Sequence, residues 1–251
     1  MRSKFKDMIF VKGGKYTPCF TDNEKKVFDL EVCRYLTTQK MWLEVMDYNP
    51  SKFDGIYKPV DSVTWWEALE FCNKLSEKYN LEPVYDLSKK GILMINQLDG
   101  EKSNPNIADF KKTEGFRLPT EVEWEWFARG GQVAIEQGTF DYTYPGSNNI
   151  DEVAWHIENS DDTYNVGLKK PNQLGLYDCA GNVWEWCYDT TENIEEGKNY
   201  IYKAFDSSNI YRRLKGGSWD DIDNDCAVLS RSHDQATYDF NSVGFRLVRT
   251  I

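Results

Sequence analysis

Lys215-Gly216-Gly217-Ser218-Trp219, then a run rich in Asp, Ser and Asn, then Gly244-Phe245-Arg246-Leu247: this stretch decides how the chain reads. From Asp220 to Val243 there is no Lys, Glu, Met or Trp, although the rest of the chain is crowded with Lys, Glu and Trp. A polar surface ordinarily uses Lys and Glu freely. Their absence implies unusual selection on this segment. The two flanking phrases each combine Gly, for tight backbone geometry, with an aromatic for burial. A rigid frame around short polar side chains is the construction of a binding surface.

Working outward, the chain has 251 residues, 40% hydrophobic and 15% aromatic, enough to bury a core. The net charge of −11 argues against nucleic acid and against anionic lipid. No apolar run approaches the roughly 20 residues that span a bilayer. Met1-Arg2-Ser3-Lys4-Phe5-Lys6 is basic but no apolar stretch follows it, so any export signal is expected either to lie outside this chain or never to have existed. The six cysteines, Cys19, Cys33, Cys72, Cys179, Cys187 and Cys226, form no CxxC pair, which disfavours zinc. Buried free thiols are the expected state, with one or two disulfides as the alternative for an exported chain.

No low-complexity linker or repeat divides the sequence. Asp7 to Gly14 reads as a strand and turn, with Phe28 to Val32 as its antiparallel neighbour. Thr37-Thr38 caps a helix running to about Met46, with Met41, Val45 and Met46 on its apolar side. A second helix begins near Ser62 or Thr64 and runs to about Tyr79, with Trp65, Ala68, Leu69, Cys72 and Leu75 as its core stripe. Asp86 to about Thr113 reads as an irregular excursion. Thr120 and Glu123 have capping-box spacing for a helix ended by Gly130-Gly131, with Trp124 and Phe127 facing inward. From about Gly138 onward the sequence is turn-rich, with short aromatic strands. The class is α+β.

Five ordered phrases carry a family resemblance. They are Phe116-Arg117-Leu118-Pro119-Thr120-Glu121-Val122-Glu123-Trp124-Glu125, Asn172-Gln173-Leu174-Gly175-Leu176-Tyr177-Asp178, Gly181-Asn182-Val183-Trp184-Glu185-Trp186, Lys215-Gly216-Gly217-Ser218-Trp219 and Gly244-Phe245-Arg246. Together the chain resembles the formylglycine-generating enzyme family, a branch of the C-type lectin fold. The resemblance implies a single domain over residues 1–251 with little regular secondary structure. The family's enzymes oxidise a sulfatase cysteine with a C-x4-C thiol pair placed just after the Gly-Gly-Ser-aromatic phrase. Here the first position is Asp221. Cys226 matches either the second thiol or, because the loop is shorter, a structural cysteine. A carboxylate cannot exchange with a disulfide, so no catalytic residues and no oxidase activity are expected.

One branch of the fold comprises the variable proteins of diversity-generating retroelements, and the chain resembles that branch. Those proteins are mutagenised at template adenines, chiefly within Asn codons. Such codons end in C and cannot encode Lys, Glu, Met, Trp or Gln. Asp220, Asp221, Ile222, Asn224, Asp225, Ser230, Ser232, His233, Asp234, Tyr238, Phe240, Asn241 and Ser242 obey that limit; Gln235 does not. The resemblance therefore implies a variable ligand-binding segment at about 220–242. Asp220, Asp221, Ile222, Asn224, Asp225, Ser230, Ser232, His233, Asp234, Tyr238 and Phe240 are its expected contact residues. Gly216, Gly217, Trp219, Arg231, Gly244 and Phe245 are the expected buried or conformationally special frame.

The partner is an unspecified protein or other macromolecule, and the chain is expected to be monomeric. Spirochaetal members of the branch look like surface lipoproteins. That implies a cell-surface or exported protein, lipid-anchored through a segment outside this chain. A non-variable accessory domain is the remaining alternative.

The resemblance also implies a Ca²⁺ site, with Asp178 and Glu185 as carboxylates and Gly181 and Val183 as carbonyl donors. The alternative makes the carboxylates hydrogen-bonded turn residues with no ion. No organic cofactor is expected. His156 reads as a packing residue and His233 as a possible ligand contact. Ser218 lacks the strand-Ser-helix context of a nucleophile. At least one of Trp184 and Trp186 should lie in the core.

Overall fold

The computed structural model describes residues 5–89, 92–104, 109–191 and 211–251. Three strands join the two ends of the chain. Leu30–Cys33 lies between Met8–Val11 and Val248–Thr250, antiparallel to both. All four residues of the central strand are buried, as a strand covered on both faces should be.

The second sheet carries the feature of interest. Its order is Ser232–Gln235, Tyr211–Lys215, Trp184–Thr190, Val243–Gly244. The first three pair antiparallel, and Val243–Gly244 runs parallel to Trp184–Glu185. The Asp-rich segment thus leaves this sheet at Lys215, returns to it as one strand, and ends on it as another.

Two helices buttress the sheets. Trp65–Lys78 has Thr64 as N-cap in a full capping box with Glu67, and its predicted stripe of Trp65, Ala68, Leu69, Cys72 and Leu75 is buried. Glu121–Ala128 has the predicted capping box between Thr120 and Glu123. All eight of its residues are buried, so it has no solvent face. That is why Trp126 is as buried as Trp124 and Phe127. The helix after Thr38 is shorter than its sequence suggests, Gln39–Leu43. Its central contact is Trp42, stacked on Phe71 at 5.3 Å, and Phe245 sits edge-on to both rings.

Two expectations need correction. Residues from Asp86 onward are not irregular. Tyr85–Lys89, Ile92–Asn96 and Lys102–Ser103 form a three-stranded antiparallel sheet that buries Tyr85, Leu93 and Ile95. Its alternation was masked by short strands and polar turns. Gly130-Gly131 ends one helix but also starts another, Gly131–Gln137, because Gly130 at φ +90° turns the chain and then supplies its N-cap. A short α-helix, Ile150–Val153, follows, and a 3-10 turn at Asp223–Cys226 lies in the Asp-rich segment.

Candidate functional site: a segment held by its main chain

Gly216 and Gly217 have φ of +96° and +74°. A Cβ on Gly217 would lie 2.7 Å from the Cys226 sulfur and 2.9 Å from the Asp225 carbonyl. The glycine pair therefore lets the segment fold back over its own start. Beyond it, Ser218 is buried and its hydroxyl donates to the Asp221 carboxylate.

The rest of the segment is fastened largely through its carbonyls. Buried Lys215 Nζ donates to the carbonyls of Val228 at 2.9 Å and Ser230 at 2.5 Å. The amides of Ile157, Trp65, Ser62 and Trp184 donate to the carbonyls of Asp221, Ala236, Phe240 and Ser242. The Trp219 indole donates to the Asn241 carbonyl at 3.3 Å. Main-chain carbonyls are present whatever side chain follows. An anchorage built from them tolerates sequence change.

Cys226, Val228 and Ala236 are buried in the core, whereas the predicted contact side chains are not. Asp220, Ile222, Asn224, His233, Tyr238 and Phe240 are exposed; Asp221, Asp225, Ser230, Ser232 and Asp234 are half-buried. None of the eleven is buried. Tyr238 and Phe240 meet edge to face at 5.6 Å. Tyr211, which sequence reasoning missed, packs edge-on to His233 at 5.4 Å and extends this surface from the neighbouring strand. Phe53, also missed, packs against Trp219 at 5.3 Å. Phe53 lies far away in sequence, where only the fold brings it near.

Three assigned roles change. Asp221 is less a contact residue than a pin. Its carboxylate takes hydrogen bonds from Ser218 and the Trp184 indole, and burial raises its pKa against those bonds. Trp219 is half-buried rather than enclosed. Arg231 is exposed rather than buried, yet its guanidinium reaches the buried Glu121 carboxylate at 2.6 and 2.9 Å. A long side chain can lie along the surface and still be anchored at its tip. The other frame residues, Gly216, Gly217, Gly244 and Phe245, are buried as expected.

Thiol chemistry finds little support in this geometry. All six cysteines are free, and only Cys19 is exposed. Burial, then the Asp221 and Asp225 charges, push the Cys226 thiol up to about 12. At neutral pH it is protonated and cannot act as a thiolate. His156 is buried, with Nε2 at 3.2 Å from the Asp151 carboxylate, while Nδ1 lacks a partner among the described residues. Trp184 and Trp186 are both core residues.

The carboxylates assigned to calcium have other partners. Arg246 donates to both Glu185 oxygens, at 2.8 to 3.2 Å, and both side chains are fully buried. The same guanidinium donates to the carbonyls of Cys33, Arg34 and Tyr177. Asp178 accepts from the Gly167 amide at 2.8 Å. A cation belonging to the chain already neutralises Glu185, so this set as placed does not fit a calcium ion. Thermal melts with millimolar calcium and with chelator should coincide. A chelator-sensitive melting temperature with stoichiometric calcium by elemental analysis would reverse this assignment.

Asp178 also predicts a pH effect. Burial, the largest cause, raises its pKa to about 6, against the Gly167 amide and the Arg246 charge. Its unfolded value is about 3.9. The folded state therefore holds the proton more tightly, and stability falls as pH rises from about 4 to about 6. Relative to Asp178→Asn, wild type should lose up to about 1.4 kcal/mol per pH unit in that window and hold a constant difference above it. Urea titrations at several pH values measure this; parallel curves would mean that Asp178 titrates normally. Asn accepts the left-handed φ of +55° at this position.

Comparisons with known proteins agree with this fold. The protein-family model described as "Sulfatase-modifying factor enzyme 1-like domain" matches residues 2–251. Among solved structures, Treponema denticola variable protein 1 superposes with a TM-score of 0.75 at 33% identity, covering 97% of this chain and 95% of that one. The structure titled CarF has a TM-score of 0.73 at 27% identity, covering 98% of each chain. Chaperone protein LppX of Paenibacillus barcinonensis is 36% identical over 85% of this chain and 78% of that protein. The formylglycine-generating enzyme of Streptomyces coelicolor is 32% identical over 55% of this chain and 48% of its own. Against the Chlamydia trachomatis serine/threonine-protein kinase Pkn1, the match spans 98% of this chain but only 38% of the kinase.

Proposed function

The chain belongs to the sulfatase-modifying factor enzyme 1-like domain family, and on that scaffold we propose a ligand-display protein rather than an oxidase. Residues of about 220–242 form its diversified binding surface. The observation that carries this reading is the division of labour in the segment: its carbonyls hold the fold, and ten of the eleven contact side chains, all but the pinned Asp221, are left exposed or half-buried. Likeness over nearly the full length to Treponema denticola variable protein 1 supports it. Tyr238 and Phe240 supply contact area, and the Asp, Asn and Ser residues supply adaptable hydrogen bonds.

The ligand is a macromolecule, and the chain acts as a monomer of one domain. We place it at the cell surface or exported, held by a lipid anchor outside this chain. Digestion of intact cells should remove it if so; protection until lysis would refute this placement. Among the described residues, no helix is long and apolar enough to cross a membrane.

Sequencing the gene in several isolates tests the central reading. Differences should concentrate in codons 220–242 and spare those for Gly216, Gly217, Gly244 and Phe245. A reverse transcriptase gene and an Asn-rich near-copy of about the last 35 codons should lie nearby. Uniform conservation of the segment, with neither element present, would leave a non-variable accessory domain. The enzymatic rival is tested by incubation with copper and a sulfatase-motif peptide. No aldehyde should form, since Asp221 replaces a thiol and Cys226 is buried.

A further inference from the structure

We propose that the partner at this chain's display face is a basic protein surface, one whose Lys and Arg side chains are held between aspartates and exposed aromatic rings. The proposal rests on the display reading and specifies its ligand class. Between residues 220 and 242 there are six aspartates, Asp220, Asp221, Asp223, Asp225, Asp234 and Asp239, against a single Arg. Asp221 is committed to Ser218 and Trp184. None of the other five makes an ion pair among the described residues, and each is exposed or half-buried.

The lone cation does not offset them. Arg231 is turned onto Glu121, which also lies 3.7 Å from Arg213. Lys215, the nearest lysine in sequence, is buried and spends its ammonium on carbonyls of the segment. Among the described residues, the charged ends of Arg231 and Lys215 are therefore engaged by Glu121 and by main-chain carbonyls, and five carboxylates are left without an ion pair.

The same segment also exposes apolar side chains. Ile222, Leu229, Tyr238 and Phe240 are 52%, 54%, 42% and 46% exposed. The Tyr238 amide bonds the Gln235 carbonyl, and the Gln235 side chain reaches the Tyr211 hydroxyl, so the aromatics run on into Tyr211 and His233. Exposed aromatic rings and carboxylates carried on one segment favour guanidinium and ammonium groups by cation–π attraction and by charge. They repel phosphates of nucleic acid or anionic lipid. A small cation alone would leave the apolar area unused, which favours a protein partner.

Selection from a random-peptide display library on the full chain tests this. Winning clones should be enriched in Lys and Arg. Their association rate should fall about tenfold or more as added salt shortens the Debye length from about 10 Å to about 3 Å. Neutralising the face with Asp220→Asn, Asp223→Asn, Asp234→Asn and Asp239→Asn together should weaken the clones at least tenfold. Neutralising exposed acids elsewhere, Glu77, Glu82, Asp99 and Glu136, should change binding less than twofold.

Equal losses from the two sets would mean non-specific attraction to an acidic protein, and would overturn the proposal. Clones that require Tyr238 and Phe240 but are neither basic nor salt-sensitive would overturn the charge assignment and leave the display face standing. Clones indifferent to Tyr238, Phe240 and the aspartates, or no clones at all, would count against the display face itself.

Discussion

Replacing Arg246 with Met should destabilise the protein by about 3–5 kcal/mol, because it strands the buried Glu185 carboxylate. For a chain of this size that corresponds to a fall of about 6–20 °C in melting temperature. The guanidinium does two jobs. It neutralises Glu185, and it satisfies carbonyls of Cys33, Arg34 and Tyr177 that meet at the junction of the two larger sheets. The double variant Glu185→Leu with Arg246→Met separates them. It removes the stranded charge, so it should be more stable than the sum of the single changes predicts. It should still melt below wild type, because the three carbonyls lose their donor. Full recovery in the double variant would mean that the carbonyl contacts contribute little. An unaltered melting temperature in Arg246→Met alone would mean that the pair is not formed as described.

How much of this was legible in the sequence follows from the range of the interactions. The capping boxes at Thr64 and Thr120 and the helix stripe from Trp65 to Leu75 are local, and the sequence reading placed them well. The five phrases were enough to specify the family and the fold. The small sheet from Tyr85 to Ser103 was missed because strands of two to five residues carry too few alternations to register. At the proposed display face the exposure of Tyr238 and Phe240 followed from composition and framing. The inward turn of Arg231, by contrast, depends on Glu121, 110 positions away. Asp221 resembled its neighbours as a short polar residue. Only the fold sets it beside Ser218 and the Trp184 indole. Glu185 looked like a metal ligand for the same reason: its partner, Arg246, is 61 residues away.

A graded response to substitution is the sharpest expectation from the display scaffold. Changing Asp220, Asn224, Ser232, His233, Tyr238 and Phe240 together should leave the melting temperature within a few degrees of wild type. Surface changes away from special features usually alter stability by within about 0.5 kcal/mol each. Ligand selection should change completely, since these side chains are the exposed ones. Asp221→Ala should be intermediate, at about 1–3 kcal/mol, because it leaves the buried Ser218 hydroxyl and the Trp184 indole without an acceptor. Phe245→Ala should be severe, at about 3–5 kcal/mol, since that ring is fully buried edge-on against the stacked Trp42 and Phe71. Thermal and urea denaturation of the three variants rank them directly. The order matters more than any one value. If the sixfold variant melted as early as Phe245→Ala, its side chains would be holding the fold and the carbonyl anchorage would be insufficient. If Asp221→Ala behaved like the sixfold variant, Asp221 would be a display residue after all.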